Sequence, residues 1–491
     1  MRVWAIVGFL AAVEFTSGIL QGYYTPMLTD IARALGIHDA DVNWFEGTQL
    51  MLSALVVPAF AKLGDMVGHK RMLLVSTAIV ALASLALPFA TTFSAFLVCW
   101  AIQGVYVVWL PLEIALIYSR ASSAGFGWHR GKGHAMGSPA PAGITAKAAG
   151  ILVAALEAGA IIGALAGGAL VDSFELRLVL MIPGIAVAAC FFVILFGVRE
   201  SATVTGGRLD TTGLVLVSLA LVAFTGGLSL MRVAGPADPL AWVVAALGLA
   251  LLVPFALWER RHPDPIIDVR MFVNPALWPV FVTAGLFGVS VLGAQAPLST
   301  FARTDPSVAG YGLGTEGFAT SLIIGVYLVA MIAGALLYPV LARATSPRTA
   351  LVVAAAFVGI GYLMFIPMHA SYAQVVTNMV IAGLGSGALV ASLPATAAAA
   401  APPAQTGVAT GLTNSVKTVG GAIASCAFGI ALSTGVATGT AGSLTGYVTV
   451  WVVCGTTALA AAGALLVVPR DAFRDPAARA SSATIDKSPM S

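Results

Sequence analysis

Long apolar runs, separated by short charged or turn-rich stretches, repeat along almost the whole chain. A helix needs about 20 mostly apolar residues to cross a bilayer, and fourteen runs have this character. They lie at about 3–28, 43–62, 71–91, 94–118, 148–171, 177–197, 212–231, 239–257, 276–300, 317–341, 349–367, 373–394, 407–433 and 445–469. The first run is too long for a cleavable signal and no clean cleavage site follows it, so we expect it to be retained as a span. The pattern predicts an all-α polytopic membrane protein with fourteen transmembrane helices.

Lysine and arginine residues predict the orientation of these spans, because cytoplasmic loops carry an excess of both. With the N-terminus inside, nineteen of the 24 basic residues fall in cytoplasmic segments. The outer loops hold four, which are Arg33, Arg177, Arg232 and Arg303. Lys417 alone falls in the interior of a predicted span, away from its ends. Both termini are therefore predicted to be cytoplasmic.

The composition agrees with a membrane protein and argues against other classes. Of the 491 residues, 59% are hydrophobic and 9% are charged, whereas a soluble domain has about 25% charged residues. The net charge of +3 is spread over many loops, which argues against nucleic-acid binding. The four cysteines lie in apolar runs without metal-ligand spacing, and we interpret them as buried apolar residues. No cofactor is expected, and no nucleotide-binding site is visible.

The stretch AKLGDMVGHKR, residues 61–71, concentrates charge in the short turn between the second and third runs. Lys70 and Arg71 suit a cytoplasmic position. Topology alone explains neither Asp65 nor the glycine spacing. This stretch resembles the signature loop of the major facilitator superfamily, G-x-L-a-D-r-x-G-r-k-r, through Leu63, Asp65, Gly68, Lys70 and Arg71.

Other stretches resemble the fourteen-span drug:proton antiporter branch of that superfamily. They are YYTPMLTDIARALG (23–36), IQGVYVVWLP (102–111), GAIIGALAGG (159–168), FALWERRHPDPIIDVRMFVNP (255–275) and GVATGLTNSVKTVGGAIAS (407–425). The resemblance implies the major facilitator fold, with two six-helix bundles plus two extra spans and a central cavity of alternating access. The implied domains are residues 1–200, the extra spans and linkers at 201–270, the second bundle at 271–470 and a disordered tail at 471–491. The second bundle's counterpart of the signature loop, residues 338–348, keeps little beyond Arg343 and Arg348.

The resemblance also implies a conformational gate formed by Asp65, Gly68, Lys70 and Arg71. The Asp65 carboxylate would face the N-terminal dipole of the span that begins near residue 407 when the inner side is closed. Gly68 would permit the sharp turn. The implied location is a bacterial-type plasma membrane.

The sequence departs from the branch at two motif positions. Trp100 stands where the family has an arginine linked to proton handling, and Ala164 stands where it has a proline linked to antiport. Either other residues carry the coupling, or the protein has moved away from drug/proton exchange. The GAIIGALAGG stretch is in any case typical of close helix packing.

Acidic residues within spans are costly and usually functional. Glu14 and Glu157 lie near the predicted midplane of their spans, and Glu113 lies nearer the cytoplasmic mouth. A low-dielectric cavity favours the neutral form of a carboxyl group, which also binds a cation once it is ionised. These three residues are therefore predicted to bind protons or substrate, with a structural acid as the alternative for each.

Further residues are predicted to contribute to the central site. Gln103 and the aromatic residues Trp100, Tyr106 and Trp109 are candidates to line a lipophilic pocket, or to pack in the core. Lys417 is predicted either to pair with an acid or anionic substrate, or to extend its amine to the membrane surface.

The leading functional hypothesis is a proton-driven exporter of small lipophilic or cationic drugs or metabolites, acting as a monomer among membrane lipids. The alternative keeps the fold but moves lipids or other amphiphiles with weak or no proton coupling. A membrane-embedded enzyme or a non-transporting scaffold is a remote alternative, because the six histidines lie in or beside loops. Residues 121–146 are predicted to form a long cytoplasmic loop, whose Gly-Lys pair lacks the spacing of a phosphate-binding loop.

Overall fold

The computed structural model describes residues 4–128, 141–200, 209–263, 265–401, 406–435 and 440–467. Within these ranges the chain is helical, with eighteen α-helices and short 3₁₀ turns. The first ten are α1 Trp4–Tyr23, α2 Leu28–Leu35, α3 Val42–Val67, α4 His69–Ala86, α5 Phe93–Gln103, α6 Trp109–Trp128, α7 Pro141–Val171, α8 Leu176–Gly197, α9 Thr211–Ala234 and α10 Pro239–Glu259. The other eight are α11 Trp278–Val291, α12 Gln295–Arg303, α13 Pro306–Ala309, α14 Gly317–Ala344, α15 Pro347–Leu363, α16 Tyr372–Ala400, α17 Thr406–Ser433 and α18 Leu444–Val467.

Each of the fourteen predicted runs contains a helix. Twelve helical segments of the described chain are long and apolar enough to cross a membrane, and α15 is a shorter apolar helix. The α1 helix accounts for the first run. The structure thus shows an all-α membrane protein and is compatible with the count of fourteen spans, which stays a prediction.

Two of the runs predicted as single helices are interrupted. In the fourth run, a 3₁₀ turn at Gly104–Val108 separates α5 from α6. The break lies where α3 comes close, since the Ser53 hydroxyl donates to the Gly104 carbonyl at 2.8 Å and a β-carbon at position 104 would lie 2.6 Å from the Gln49 carbonyl oxygen. In the ninth run, residues 292–294 form a turn between α11 and α12.

The described helices fall into two compact units. The first comprises Met1–Ile266, Gln295–Gly325 and Ser425–Gly446, and the second comprises Ile267–Ala294, Val326–Ala424 and Tyr447–Ser491. The domain boundaries predicted from the sequence stay predictions. The predicted tail at 471–491 and residues 129–140 of the predicted loop lie outside the described residues, while α6 and α7 extend into that loop from either side.

Glycines allow close helix packing in both units. In the first unit, α1 and α7 touch along their backbones, and a β-carbon at Gly159 would overlap the carbonyl oxygen of Phe15. In the second unit α11 and α17 do the same, and a β-carbon at Gly420 would overlap the carbonyl oxygen of Gly285. Small residues let helix backbones approach in this way. Each unit thus contains a helix pair that is packed closely through glycines.

Candidate functional site

Two acidic side chains meet in the interior of the first unit. Glu14 of α1 and Glu113 of α6 are fully buried. Their four carboxyl oxygens have no hydrogen-bond partner among the described residues, and the two groups interact electrostatically. Ionising both at once in a low-dielectric interior is unfavourable. Binding of a proton or a cation by this pair stays a prediction.

Tyr106 and Cys190 interact electrostatically with this pair, and Glu46 interacts with Tyr106. Tyr106, at the break between α5 and α6, interacts electrostatically with Glu14 and with Glu46 of α3. Cys190 of α8 interacts with both Glu14 and Glu113. Glu46 was not predicted as a site residue, although it is an acidic residue inside an apolar run, near the start of its predicted span. Tyr106 therefore interacts both with Glu14 of the pair and with a further acid on α3.

The third predicted acid occupies a different environment. Glu157 lies on α7 and is half-buried, whereas Glu14 and Glu113 are enclosed. The carbonyl oxygen of the preceding residue, Leu156, packs against Gly18 of α1. The backbone around Glu157 thus belongs to the α1–α7 contact, and its predicted role in proton or substrate binding stays a prediction.

Trp100, at the family's arginine position, lies in an aromatic cluster. Its ring centroid is 4.9 Å from that of Tyr24 and 5.8 Å from that of Phe96. The indole N–H donates to Oε1 of Gln49 at 3.1 Å, and the residue is 2% exposed. In this structure Trp100 is part of the core.

Gln103 and Trp109 are also buried. The Gln103 amide donates to the Tyr24 hydroxyl at 3.1 Å and to the Ser84 hydroxyl at 2.9 Å, so it joins α5 to α4 and to the residue that follows α1. Trp109 packs edge-on against Tyr106 with ring centroids 6.3 Å apart. Trp109 thus contacts the ring of Tyr106. A direct role of Gln103 or Trp109 in substrate binding stays a prediction.

Restoring the family's arginine by Trp100→Arg is expected to destabilise the protein strongly. The guanidinium would replace a buried indole among aromatic rings, and an uncompensated buried charge costs several kcal/mol. We expect little monodisperse protein on size-exclusion chromatography, whereas the control Trp100→Phe keeps the ring contacts and yields folded protein. A Trp100→Arg variant as stable as the wild type would contradict the buried placement of this residue.

The signature loop is a tight turn between α3 and α4. Gly68 separates the two helices with φ +117°, a conformation that favours glycine. The half-exposed Asp65 carboxylate lies 3.2 Å from Nε2 of the buried His69. The turn predicted for Gly68 is present, while the contact predicted for Asp65 with the start of α17 stays a prediction.

Glu200, which follows α8, holds the start of α4. Its two carboxylate oxygens accept hydrogen bonds from the backbone N–H groups of Lys70 and Arg71, each at 3.1 Å. A carboxylate at a helix N-terminus satisfies exposed N–H groups and complements the helix dipole. The role of Glu200 could not be predicted from the sequence, because the residue lies about 130 positions from its partners. It gives Lys70 and Arg71 a structural role through their backbones.

The counterpart loop of the second unit keeps one contact despite its different sequence. In the first unit, the Lys70 amine donates to the carbonyl of Leu195, near the end of α8, at 2.9 Å. In the second unit, Arg348 donates from Nε to the carbonyl of Leu465 at 3.1 Å and also reaches Leu466, at the end of α18. Basic side chains commonly satisfy such terminal carbonyls. In both loops a basic side chain therefore donates to a carbonyl near the end of a helix.

Glu200→Ala is expected to lower the stability of the folded protein by about 1 to 2 kcal/mol, the usual cost of removing a helix cap. Glu175→Ala is the matched control, because Glu175 sits at the N-cap of α8 without a side-chain capping hydrogen bond. The apparent melting temperature in detergent checks both variants. Equal shifts would show that Glu200 does not act as a cap.

Lys417 lies on α17 in the second unit, where it is half-buried. Its backbone carbonyl packs against Gly288 of α11. The residue thus sits at the α11–α17 contact, and neither of its two predicted roles is decided by this position.

Known proteins resemble the chain over most of its length. The model of the Major Facilitator Superfamily matches residues 10–425. A puromycin resistance protein of Streptomyces alboniger is 26% identical over 86% of this chain and 80% of its own length. A cephamycin export protein of Amycolatopsis lactamdurans is 27% identical over 83% of this chain and 79% of its own length.

Solved structures show the same fold at low sequence identity. A peptide transporter superimposes with a TM-score of 0.66 and 15% identity, covering 95% of both chains. A nucleoside transporter superimposes with a TM-score of 0.64 and 15% identity, covering 95% of this chain and 99% of its own. Together with the family match and the helical membrane architecture, these likenesses identify the chain as a member of the major facilitator superfamily, a multi-pass membrane transporter of small molecules and not an enzyme.

Proposed function

We propose that this transporter exports lipophilic or cationic drugs or metabolites in exchange for protons. The observation that carries the proposal is the Glu14–Glu113 pair, two enclosed carboxyl groups without a hydrogen-bond partner among the described residues. The relatives named for puromycin resistance, cephamycin export and multidrug resistance support export as the direction of transport.

Exchange follows from competition for the acid pair. A carboxyl group that holds a proton is neutral and has little affinity for a cation, whereas an ionised carboxylate attracts one. Binding of a cationic substrate therefore releases a proton, and rebinding of a proton from the other side releases the substrate. Glu46 and Tyr106 lie close enough to tune this competition.

We further propose that the protein acts as a monomer in a bacterial-type plasma membrane with both termini cytoplasmic. The distribution of basic residues supports this orientation, with nineteen on the proposed inner side and four on the outer side. The proton gradient supplies the energy, and no cofactor takes part.

Transport of lipids or other amphiphiles with weak proton coupling is the second candidate function. It is favoured by Trp100, which fills the family's arginine position with a buried, uncharged ring. An uncharged amphiphile would not need to displace a proton from Glu14 or Glu113. The two functions therefore differ in whether substrate binding releases protons.

Proton release from purified protein distinguishes the two candidates. Puromycin or tetraphenylphosphonium is added to the protein in weakly buffered detergent containing a pH-indicator dye, and transport is then followed in proteoliposomes with and without a proton gradient. We expect proton release on binding and accumulation driven by the gradient. Transport of these compounds without either effect would favour the second candidate, and no binding or transport would contradict the proposed substrates.

A further inference from the structure

An ion pair joins helices that are far apart in the sequence. Nη2 of Arg303, the last residue of α12, lies 2.6 Å from each carboxylate oxygen of Asp30 in α2. The two side chains are 11% and 14% exposed. Hydrogen bonds between two charged groups are shorter and roughly twice as strong as those between neutral groups. This contact therefore orients the ends of α2 and α12 relative to each other.

A second aspartate extends the contact to α14. Asp172, which follows α7, accepts hydrogen bonds from the backbone N–H groups of Gly317 and Phe318 at 2.8 Å each, at the start of α14. Its carboxylate also lies 3.7 Å from Nη1 of Arg303. Arg303 thus sits between two aspartates, one of which also complements the positive end of a helix dipole.

Two further hydrogen bonds within the first unit join segments that are far apart in the sequence. The Ser299 hydroxyl of α12 donates to the carbonyl of Thr25, between α1 and α2. The Ser425 hydroxyl of α17 donates to the carbonyl of Asn43 in α3 at 2.9 Å. Each contact joins a segment of the first predicted bundle to a segment of the second. Asp30, Asp172 and Arg303 add charged groups to these contacts between the two predicted bundles.

The excess of lysine and arginine in cytoplasmic loops does not explain the position of Arg303 on the predicted outer side. It is one of four basic residues on the predicted outer side, where arginine is disfavoured. Arg33 is 73% exposed and pairs with Asp30 within the same helix at 3.1 Å. Arg303 instead is enclosed and joins three separate helical segments. Its position therefore requires another explanation.

We propose that Asp30, Asp172 and Arg303 form a latch that holds the outer side of the transporter closed. This inference rests on the alternating access of the proposed function. The latch is made when the outer ends of α2 and α7 meet those of α12 and α14, and it opens when the outer pathway opens. Its groups remain partly exposed, so water replaces their hydrogen bonds on opening.

Labelling of a buried cysteine tests the latch without substrate. Ser299→Cys places a thiol beside Thr25 at a fully buried position, and a charged maleimide that does not cross membranes is applied to intact cells. We expect Arg303→Gln or Asp30→Asn to raise the labelling rate of this cysteine about tenfold, as the open state becomes more populated. Protein with the native cysteines alone sets the background.

Arg33→Gln is the matched control, because it removes an arginine from the same surface and leaves the contact between helices intact. Its labelling rate is expected to equal that of the parent. Unchanged labelling in Arg303→Gln, or an equal increase in Arg33→Gln, would overturn the latch. Should Arg303→Gln fail to fold, Arg303→Lys keeps the charge but has one nitrogen in place of the two that lie near Asp30 and Asp172. This variant is expected to raise labelling as well, and no increase in it overturns the latch.

Cross-linking provides a second, independent measurement. Cysteines replacing Asp30 and Arg303 are joined by a short, reducible bifunctional thiol reagent, which is expected to stop puromycin export until a reductant is added. Export that continues after complete cross-linking would overturn the latch. If the reduced protein exports no tested compound, the proposed function fails, while the labelling experiment still decides the latch.

Discussion

Replacing Glu113 by glutamine is expected to abolish substrate-induced proton release and to reduce gradient-driven transport to the level of empty liposomes. Glutamine has nearly the same shape as glutamic acid but carries no exchangeable carboxyl proton. Glu113 is fully buried and interacts with Glu14, so bulk water cannot take over its role as the group that exchanges a proton. Glu14→Gln is expected to have the same effect, because each acid sets the charge state of the other.

The double variant tests whether the two acids act as a unit. If they share one exchange event, Glu14→Gln combined with Glu113→Gln is expected to be no worse than either single change, since neighbouring groups are not additive. Glu175→Gln, at an exposed position, is the control and should leave proton release unchanged. Normal proton release in both single variants would contradict the assignment of the exchange site to this pair.

The helices could be predicted from the sequence because a membrane leaves few alternatives. Within lipid every backbone polar group must be satisfied inside the segment, so a run of about 20 apolar residues forms a helix. This is why the runs at 148–171 and 177–197 correspond to α7 and α8 within a few residues at most ends. Hydrophobic pattern carries little information on breaks, and the turns at 104–108 and 292–294 were not predicted. The first of these depends on a contact with Ser53 that no local pattern shows.

The candidate site was predicted only in part, because contacts between distant segments leave no local pattern in the sequence. Glu14 and Glu113 could be found because an acid inside an apolar run is rare and costly. That they meet each other depends on how α1 and α6 pack, which the sequence does not give. Glu46 was overlooked near a span end. Glu200 could not be found at all, because its function depends on two backbone N–H groups distant in sequence.

The resemblance to the antiporter motif in α7 is open to a purely structural interpretation. A β-carbon at Gly159 would overlap the Phe15 carbonyl oxygen, and one at Gly167 would overlap that of Tyr23. On α1, Gly18 faces Leu156 and Gly22 faces Ala160 in the same way. These glycines occur on both helices and bring the two backbones into contact. Their first function is therefore packing, and this contact positions Glu14, four residues before Gly18, within the site.

Gly18→Ala is accordingly expected to destabilise the protein by about 3 kcal/mol, the upper end of the usual cost of overpacking. The added methyl group would overlap the backbone oxygen of Leu156, and a backbone atom cannot move aside as a side chain can. Gly8→Ala on the same helix is the matched control, because a β-carbon there meets nothing within 4 Å. Alanine also favours helix formation more than glycine does, so this control should be neutral or slightly stabilising.

Thermal unfolding in detergent checks both glycine variants through the protein's own thiols. Cys190, Cys426 and Cys454 are buried, so a dye that fluoresces on reaction with thiols reports their exposure as the helices separate. We expect the melting temperature of Gly18→Ala to fall well below that of Gly8→Ala. Equal melting temperatures would mean that a methyl group at position 18 does not disturb the contact between α1 and α7. This result would contradict the packing role of the motif. A folded Gly18→Ala protein that has lost only proton release would instead favour a role for the motif in coupling.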